Sequence, residues 1–283
     1  MLSSPLVSVI IPTYNSENFI RLTLESVLSQ SYQNIEIIIV DDNSSDSTLD
    51  IIKDISEDNP KIKYYSLPVN TGTPAAPRNY GVSMSKGEFI AFIDSDDLWH
   101  PEKLERQLNF HCSNHFDLTV SAYARFIDGQ IDQPPQRVVC PPAQLVFRDL
   151  FGRNPIPMLT VILSADLARI GFSEVAHEDF LFWLELFKSR PSIRYGCLPE
   201  ILAFYCIHQR SLSSQKAVMP FWAYRVFRNS GQSRHRSLFS LFFWSIDHIL
   251  NRLLALSGSV VVRFSIGELL VRPPLLLRQG ESS

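Results

Sequence analysis

Two short runs of β-branched apolar residues near the N-terminus constrain the fold more strongly than any other feature of the sequence. They are Leu6 to Ile11 and Ile35 to Val40, and a segment with a helical spacing of apolar residues, Glu17 to Ser29, lies between them. Continuous apolar strands of this kind belong in a sheet that is buried on both faces. A strand, a helix and a second strand in this order form a parallel βαβ unit with a right-handed crossover. The sequence therefore predicts an α/β fold.

The alternation of strands and helices continues as far as residue 111. Each predicted strand is followed by polar residues, and ligands of open parallel sheets bind beyond the carboxyl ends of the strands. These polar residues are therefore expected to line one crevice. The further predicted elements are a helix over Ser47 to Ile55, a strand over Ile62 to Ser66, a helix over Pro77 to Ser85, a strand over Phe89 to Ile93 and a helix over residues 101 to 111.

The second half of the chain carries weaker signals. Residues 128 to 142 are rich in proline and glutamine, which predicts a loop over the crevice. A helix is predicted to begin near Glu178. Residues 221 to 272 are predicted to form a helical tail that carries aromatic and arginine side chains.

Composition and charge exclude several classes of protein. Hydrophobic residues make up 45% and charged residues 19% of the 283-residue chain, as in ordinary globular proteins. The formal net charge of −3 gives no reason to propose nucleic acid as a partner. The four cysteines form no CxxC pair, which argues against a zinc module or a disulfide scaffold and favours reduced thiols. Because a strand-like run begins within a few residues of Met1, no signal peptide is predicted and a cytoplasmic location is expected.

Three carboxylates follow the fourth predicted strand, at Asp94, Asp96 and Asp97. On an extended backbone Asp94 and Asp96 point to the same side. Such a cluster is costly unless a cation neutralises it, and its oxygen atoms suit Mg²⁺ or Mn²⁺. Taken alone, such a cluster is more often a solvated acidic turn, here one in which Asp96 or Asp97 caps the next helix.

A second acidic doublet, Asp41 and Asp42, follows the second predicted strand. Ser45 or Asp46 as a helix N-cap accounts for part of this polar stretch. A cap does not explain why two acidic doublets lie at the same edge of the predicted sheet.

Three further residues have both a structural and a functional interpretation. Arg78, near the start of a predicted helix, is a surface residue or the partner of a phosphate. Asp179 is a favourable acidic residue at a helix N-terminus or a general base. His208 is a partly exposed histidine or a contact to metal or phosphate.

Five segments in this order resemble the inverting family 2 glycosyltransferases of the GT-A fold. The resemblance covers the first hundred residues closely, has an anchor near Asp179 and extends little beyond residue 215. The segments are VSVIIPTYN at Val7 to Asn15, IVDDNSSDST at Ile39 to Thr48, NTGTPAAPRNYG at Asn70 to Gly81, GEFIAFIDSDD at Gly87 to Asp97 and HEDFLFW at His177 to Trp183.

The resemblance implies a fold, an activity and a division of the chain. The fold would be a Rossmann-like, mostly parallel sheet flanked by helices, with a helical C-terminal extension. The activity would be transfer of a sugar from a nucleotide-sugar, by family habit a UDP-sugar, to a saccharide or lipid-linked acceptor in cell-surface glycan synthesis. The catalytic domain would span residues 1–215, with a nucleotide-sugar-binding part at 1–100 and an acceptor-side part at 101–215, followed by the extension at 216–283.

The resemblance also implies roles for single residues, with Mn²⁺ or Mg²⁺ as the cofactor. Two departures from the family pattern are Pro77, where relatives carry alanine, and Cys206, where they carry arginine. The implied roles place Pro12 and Tyr14 against the nucleotide base, Asp42 in a hydrogen bond with the base and Arg78 beside the diphosphate. Asp94 and Asp96 would form the DxD motif, with Asp96 as the direct metal ligand, and Asp179 would be the catalytic base. His208 would be the histidine of a tyrosine-arginine-x-histidine segment and a second candidate metal ligand.

Two alternative functions are open at this point. A sugar-phosphate nucleotidyltransferase would need a glycine-rich, basic loop after the first strand, where this chain has Pro12 to Asn15. A non-catalytic carbohydrate- or nucleotide-binding scaffold could keep the fold without turnover.

The C-terminal tail also has two interpretations. Its arginine and aromatic residues predict peripheral contact with an anionic membrane, at the inner face of the cell membrane. Its alternative role is to pack on the catalytic domain or on a second subunit, which would make the protein a homodimer.

Overall fold

The computed structural model describes residues 4–151, 154–175, 177–208, 219–229, 231, 233–235, 237–238 and 241–242. The predicted alternation of strands and helices in the first part of the chain is confirmed. The strands are β1 Val7–Thr13, β2 Ile35–Asp41, β3 Ile62–Ser66, β4 Phe89–Phe92, β5 Leu98–Trp99, β6 Leu118–Ile127, β7 Arg137–Val139, β8 Ile162–Ser164 and β9 Tyr195–Ile207. The helices are α1 Ile20–Leu28, α2 Thr48–Glu57, α3 Ala75–Met84, α4 Lys103–Ser113, α5 Ala165–Ala168, α6 Glu178–Ser189 and α7 Met219–Asn229.

The nine strands of the described residues belong to one sheet. Its main order is β3-β2-β1-β4-β8-β6-β9-β5, and β7 pairs with β6 beside this path. Strands β3, β2, β1 and β4 are mutually parallel, and β6 and β9 run parallel to each other. Because β8 is antiparallel to both β4 and β6, β6 and β9 share the direction of the first four strands. The carboxyl ends of six strands therefore meet at one edge of the sheet.

Helices cover both faces of the sheet, as the continuous apolar strands require. Alternate residues of a strand point to opposite faces. Ile11 of β1 packs with residues of α1, α2 and α4, whereas Ile10 packs with residues of α3, α6 and α7. The apolar character of β1 thus follows from burial on two sides.

The prediction of a loop over residues 128 to 142 is wrong in part. The short strand β7 lies within this range and pairs antiparallel with β6, with Arg137 opposite Arg125. Proline has no N–H for a strand ladder, so the pairs at Pro134–Pro135 and Pro141–Pro142 confine this strand to the few residues between them.

The predicted helical tail lies mostly outside the described residues. Its described helix, α7, packs against α6, and the rings of Phe227 and Phe180 meet edge to face with centroids 5.7 Å apart. None of the helices within the described ranges has the length and apolar character needed to span a bilayer. The boundary at residues 215/216 falls outside the described part of the chain and stays a prediction.

A ladder of buried polar side chains runs along α4. Lys103 is fully buried, its Nζ lies 4.4 Å from the centre of the Trp99 ring, and it donates a hydrogen bond of 2.9 Å to Gln107 Oε1. Gln107 in turn donates to the backbone oxygens of Thr119 and Thr160. Burial lowers the pKa of Lys103 to about 7. The ladder therefore contains a lysine whose charged form the surroundings disfavour.

Candidate active site

The shared edge of the sheet brings together polar segments that are distant in sequence. Asp42 lies directly after β2, and its N–H donates a 2.8 Å hydrogen bond to the backbone oxygen of Thr13 at the end of β1. The acidic cluster at Asp94 begins two residues after β4, which is the other neighbour of β1. Because neighbouring strands are about 4.8 Å apart, Asp42 and Asp94 are separated by about 10 Å across the sheet.

At the β2 end of this edge, the loop that precedes α3 is held by hydrogen bonds to Asp42. This carboxylate is buried and accepts hydrogen bonds from the N–H and the hydroxyl of Thr71 at 3.0–3.1 Å. Tyr14 is about half exposed, at 49%, and Pro12 is buried within β1. The contact of these residues with a nucleotide base stays a prediction.

The N-cap of α2 is Ser47, so the prediction that Ser45 or Asp46 is the N-cap is wrong, although Asp46 does contact the first turn of the helix. The Asp46 carboxylate accepts the N–H of Thr48, the first residue of α2, at 3.0 Å. Asp42 takes no part in this contact. Its carboxylate instead fixes the loop that leads to α3.

The three carboxylates after β4 have three different partners. Asp94 Oδ1 lies 2.7 Å from Arg78 Nη2, and Asp96 Oδ2 lies 2.7 Å from His208 Nε2. Asp97 is 1% exposed and its Oδ1 accepts the backbone N–H of Cys206 at 2.9 Å. The N-cap of α4 is Glu102, so the alternative in which Asp96 or Asp97 caps that helix is wrong.

Burial has a large effect on Asp97. Its Oδ2 has no hydrogen-bond partner among the described residues. Burial, together with Asp96 and Asp94, raises the pKa of this carboxyl well above its usual value. Asp97 therefore ties β9 to the edge through its Oδ1, in surroundings that disfavour its charged form.

Arg78 connects the acidic cluster to the N-terminus of α6. Its side chain is 3% exposed, and its Nη1 lies 2.6 Å from Glu178 Oε1 while Nη2 contacts Asp94. Burial alone would lower the pKa of Arg78, but the Asp94 and Glu178 carboxylates hold it above its usual value. Its guanidinium also stacks over Phe172, 5.6 Å from the ring centre. Arg78 is thus a fixed positive charge, and its contact with a diphosphate stays a prediction.

Asp179 is held by two donors at the start of α6. Its Oδ1 accepts the N–H of Phe180, and its Oδ2 accepts the amide of Asn154, both at 2.7 Å. Burial raises the pKa of the Asp179 carboxyl, while the Arg78 charge and both hydrogen bonds oppose that rise. The Asp94 charge also raises the pKa of Asp179. Arg78 links the two residues, because it contacts both Asp94 and Glu178, the residue before Asp179. This arrangement gives a positioned carboxylate of increased basicity, as a general base requires.

Asn154 and Glu178 are two site residues whose roles the sequence did not indicate. The N–H of Ile156 donates to Asn154 Oδ1 at 3.2 Å, so the amide nitrogen of Asn154 faces Asp179. An Asn-Pro pair, here Asn154 and Pro155, predicts a turn and nothing more. For Glu178, the sequence predicted only that a helix begins nearby.

His208 follows β9 directly and completes the other side of the acidic cluster. Its ring stacks on Phe19 with centroids 5.2 Å apart and planes 24° apart. The hydrogen bond to Asp96 raises the pKa of His208, against the effect of burial. Cys206, two residues earlier, is a buried neutral side chain, where the family resemblance implied an arginine.

Asp96 and His208 offer one oxygen and one nitrogen donor to a divalent cation. Within the described ranges, no group of three or more His, Cys, Asp or Glu side chains is arranged to hold a metal. Protein sites for Mg²⁺ commonly use one or two side chains and fill the other positions with water and substrate phosphate oxygens. The donor set therefore fits a cation that binds together with a diphosphate.

Known proteins resemble both the sequence and the fold. The model of the family Glycosyl transferase family 2 matches residues 8–163. An uncharacterised glycosyltransferase of Haemophilus influenzae is 35% identical over 228 residues, which cover 80% of this chain and 89% of that protein. The Escherichia coli protein WfaP, named a UDP-Glc:alpha-D-GlcNAc-diphosphoundecaprenol beta-1,3-glucosyltransferase, is 32% identical over 87% of this chain and 94% of its own length.

Solved structures confirm the predicted GT-A fold. The structure of S. aureus TarS in complex with UDP-GlcNAc matches with a TM-score of 0.66 and 26% identity, covering 84% of this chain and 71% of that one. The mannosyltransferase PcManGT from Pyrobaculum calidifontis, solved with GDP-Man and Mn²⁺, matches in fold alone, with a TM-score of 0.62, 16% identity and coverage of 90% and 76%. The chain is therefore a glycosyltransferase and belongs to glycosyl transferase family 2.

Proposed function

We propose that the protein transfers a sugar, with inversion, from a UDP-sugar to a hydroxyl of a lipid-linked saccharide in the synthesis of a cell-surface glycan. The observation that carries this proposal is the convergence of Arg78, Asp94, Asp96 and Asp179 at one sheet edge. The names of relatives support the choice of substrates. WfaP and WfgD of Escherichia coli are named as glucosyltransferases that use UDP-Glc and a diphosphoundecaprenol acceptor, and TarS was solved with UDP-GlcNAc.

The donor lies across the carboxyl ends of β2, β1 and β4. Asp42 and Tyr14 receive the nucleotide base, and the diphosphate reaches the acidic cluster about 10 Å away across the strands. Asp96 and His208 would hold a Mn²⁺ or Mg²⁺ ion there. Such an ion supplies positive charge that stabilises the departing diphosphate.

Arg78 contributes a permanent positive charge beside the same leaving group. Its guanidinium is already oriented by Asp94 and Glu178, so little reorganisation is needed when negative charge develops. The neutralising carboxylates reduce its net effect. Its contribution is therefore mainly to orient Asp94 and the start of α6.

Asp179 removes the proton of the attacking hydroxyl. The acceptor oxygen forms a bond to the anomeric carbon as its proton moves to Asp179, and the bond from that carbon to the diphosphate breaks, its electron pair leaving with UDP. Each Asp179 oxygen accepts one hydrogen bond from the protein and keeps a free lone pair for the proton. Attack from the side of Asp179 gives inversion in a single displacement.

A transfer assay with UDP-sugars, with and without Mn²⁺, tests this function. Asp179→Asn is expected to lower turnover at least about hundredfold while UDP still binds, because only the proton acceptor is lost. Asp96→Ala is expected to abolish the effect of Mn²⁺ on UDP binding. Asp166→Asn, an exposed carboxylate in the first turn of α5, is the matched control.

Two outcomes would contradict the proposal. Metal-assisted UDP binding that survives Asp96→Ala would show that Asp96 does not hold the cation. A wild-type protein that binds UDP-sugars but transfers none would favour the non-catalytic scaffold.

Peripheral membrane contact and a homodimer stay predictions. Both depend on the C-terminal tail, of which residues 243–283 lie outside the described part. Flotation of the full-length protein with anionic vesicles tests the first, and its molar mass in solution tests the second.

A further inference from the structure

Two thiols lie in contact although they come from parts of the sheet that do not pair with each other. Cys140 directly follows β7, and Cys197 lies in β9 opposite Val120 of β6. Their Sγ atoms are 4.0 Å apart, and the two residues are 57 positions apart in sequence. Because β7 and β9 pair with opposite edges of β6, this contact reaches across β6. A bond between the two sulfur atoms would tie β7 to β9.

The two thiols differ in their access to solvent. Cys197 is 6% exposed and belongs to the same apolar core as α6, whereas Cys140 is partly exposed at the margin of that core. The hydrogen bond between the thiols lowers the pKa of Cys140, and it raises the pKa of Cys197 together with burial. The thiolate is the form that attacks a disulfide. Cys140 is therefore the thiol that an oxidant meets first, and Cys197 is placed to react second.

Strand β7 is the element that such a bond would hold. It is three residues long, and among the described strands it pairs only with β6. The proline pairs at Pro134–Pro135 and Pro141–Pro142 prevent a longer ladder. A short strand of this kind opens more easily than the long pair of β6 and β9.

We propose that Cys140 and Cys197 form a reversible disulfide when they meet a small disulfide oxidant such as glutathione disulfide, and that this bond fastens β7 to β9. Both cysteines are free thiols in the structure, which is the reduced form of the pair. Cys197 lies near the start of β9, whereas the candidate site is at the carboxyl end of that strand. The pair is therefore independent of the proposed glycosyl transfer.

The reaction takes two exchange steps. The Cys140 thiolate attacks one sulfur of glutathione disulfide, the bond between the two glutathione sulfurs breaks, and the first glutathione leaves as a thiolate. Cys197 then loses its proton and attacks Cys140 Sγ, and the second glutathione leaves. Two protein thiols are oxidised, and one glutathione disulfide is reduced to two thiols. The second step is intramolecular between groups already in contact, which favours it over attack by another glutathione.

Peptide mapping of the folded, full-length protein after treatment with glutathione disulfide tests the bond. The wild type is expected to yield one linked peptide pair, Cys140 with Cys197, which dithiothreitol separates. Cys197→Ser should stop the reaction at a mixed disulfide between Cys140 and glutathione, and Cys140→Ser should leave Cys197 unmodified because it is buried. Cys112→Ser, which removes an exposed thiol on α4, is the control and should form the link like the wild type.

A second measurement tests the effect on β7. Amide hydrogen exchange over Arg137–Val139 is expected to slow severalfold in the oxidised protein, because the end of the strand can no longer separate from β9. The melting temperature should rise by at least about 5 °C, since a link between residues so distant in sequence restricts the unfolded chain. Dithiothreitol should reverse both changes, and Cys140→Ser should show neither.

Three results would overturn the proposal. One is an oxidised wild type in which Cys140 carries glutathione and no link to Cys197 forms. Another is a link that joins Cys140 to Cys112 or Cys206 instead. The third is a complete Cys140–Cys197 link that leaves both the exchange rate in β7 and the melting temperature unchanged, which would mean that the bond fastens nothing.

Discussion

Arg78 and Lys103 are both buried cations, yet their surroundings differ in kind. Arg78 contacts two carboxylates, from β4 and α6, and keeps its charge. Lys103 lies against the Trp99 ring and an amide oxygen, and among the described residues it has no ion pair. Burial without a carboxylate lowers the pKa of Lys103 to about 7. The comparison teaches that burial alone does not mark a site, whereas burial with opposite charges from separate elements does.

Removal of the paired cation is expected to have the largest effect. Arg78→Met leaves Glu178 buried without its partner, which costs about 3–5 kcal/mol of unfolding free energy. Turnover should fall at least about hundredfold, because Asp94 and the start of α6 lose their common anchor. Denaturant unfolding and a transfer assay measure the two effects.

The double variant Arg78→Met/Glu178→Gln sharpens this test. It removes the buried unpaired charge and should recover part of the stability but none of the turnover. Recovery of turnover would mean that the guanidinium itself has no part in the reaction.

Removal of the unpaired cation, Lys103, is expected to raise the free energy of unfolding, whereas removal of Arg78 lowers it. Lys103→Met should raise the unfolding free energy at pH 7 by about 2–3 kcal/mol, because the cost of burying an amine disappears. Turnover should stay within twofold of the wild type. A loss of turnover with unchanged stability would show that Lys103 belongs to the site after all.

The gain from Lys103→Met should depend on pH. The pKa of Lys103 is about 7 in the folded protein and 10.5 in the unfolded chain. Between these values the unfolded chain binds more protons, so wild-type stability rises with pH over this window. The advantage of the methionine variant should therefore be largest at pH 7 and below and vanish toward pH 10.5.

A smaller effect on turnover is expected at Asn154, an uncharged hydrogen-bond donor in the region around Arg78. Asn154→Ala removes a hydrogen bond to Asp179, which raises the pKa of that carboxyl further, by about one unit. Since a base acts only when deprotonated, the proposed role of Asp179 predicts that the acid limb of the kcat profile moves to higher pH. The charged groups around Asp179 that also act on it are Arg78 on α3, Asp94 after β4 and Glu178 on α6. Asn154→Ser, which can restore a donor, should return the limb toward the wild-type position.

The parts of the fold that the sequence predicted are those with local patterns. Strands β1 and β2 are continuous apolar runs, and both were predicted within two residues at each end. Strand β6 was missed, because Thr119 and Ser121 are buried polar residues and a register shift follows Ser121. The sequence signal of strand β9 is weak, since it contains Pro199 and Glu200 near its middle.

The residues of the candidate site likewise divide into those that a local sequence pattern predicted and those that it did not. The doublets at Asp42 and Asp94 follow strands whose order could be inferred, so their common edge was predicted. The contact of Arg78 with Glu178 joins residues 100 positions apart and depends on how α3 and α6 pack on the sheet. No local pattern encodes that packing, and the same holds for Asn154 and Asp179.

The ion pair between Arg78 and Glu178 has a consequence for biosynthesis. The ribosome adds Arg78 long before Glu178, so the first part of the nascent chain carries a guanidinium that has Asp94 but not yet Glu178 as a partner. We expect that part to reach its final rigidity only after α6 has been made. A protein cut between α3 and α6 should therefore regain a rigid catalytic centre only when both pieces are mixed.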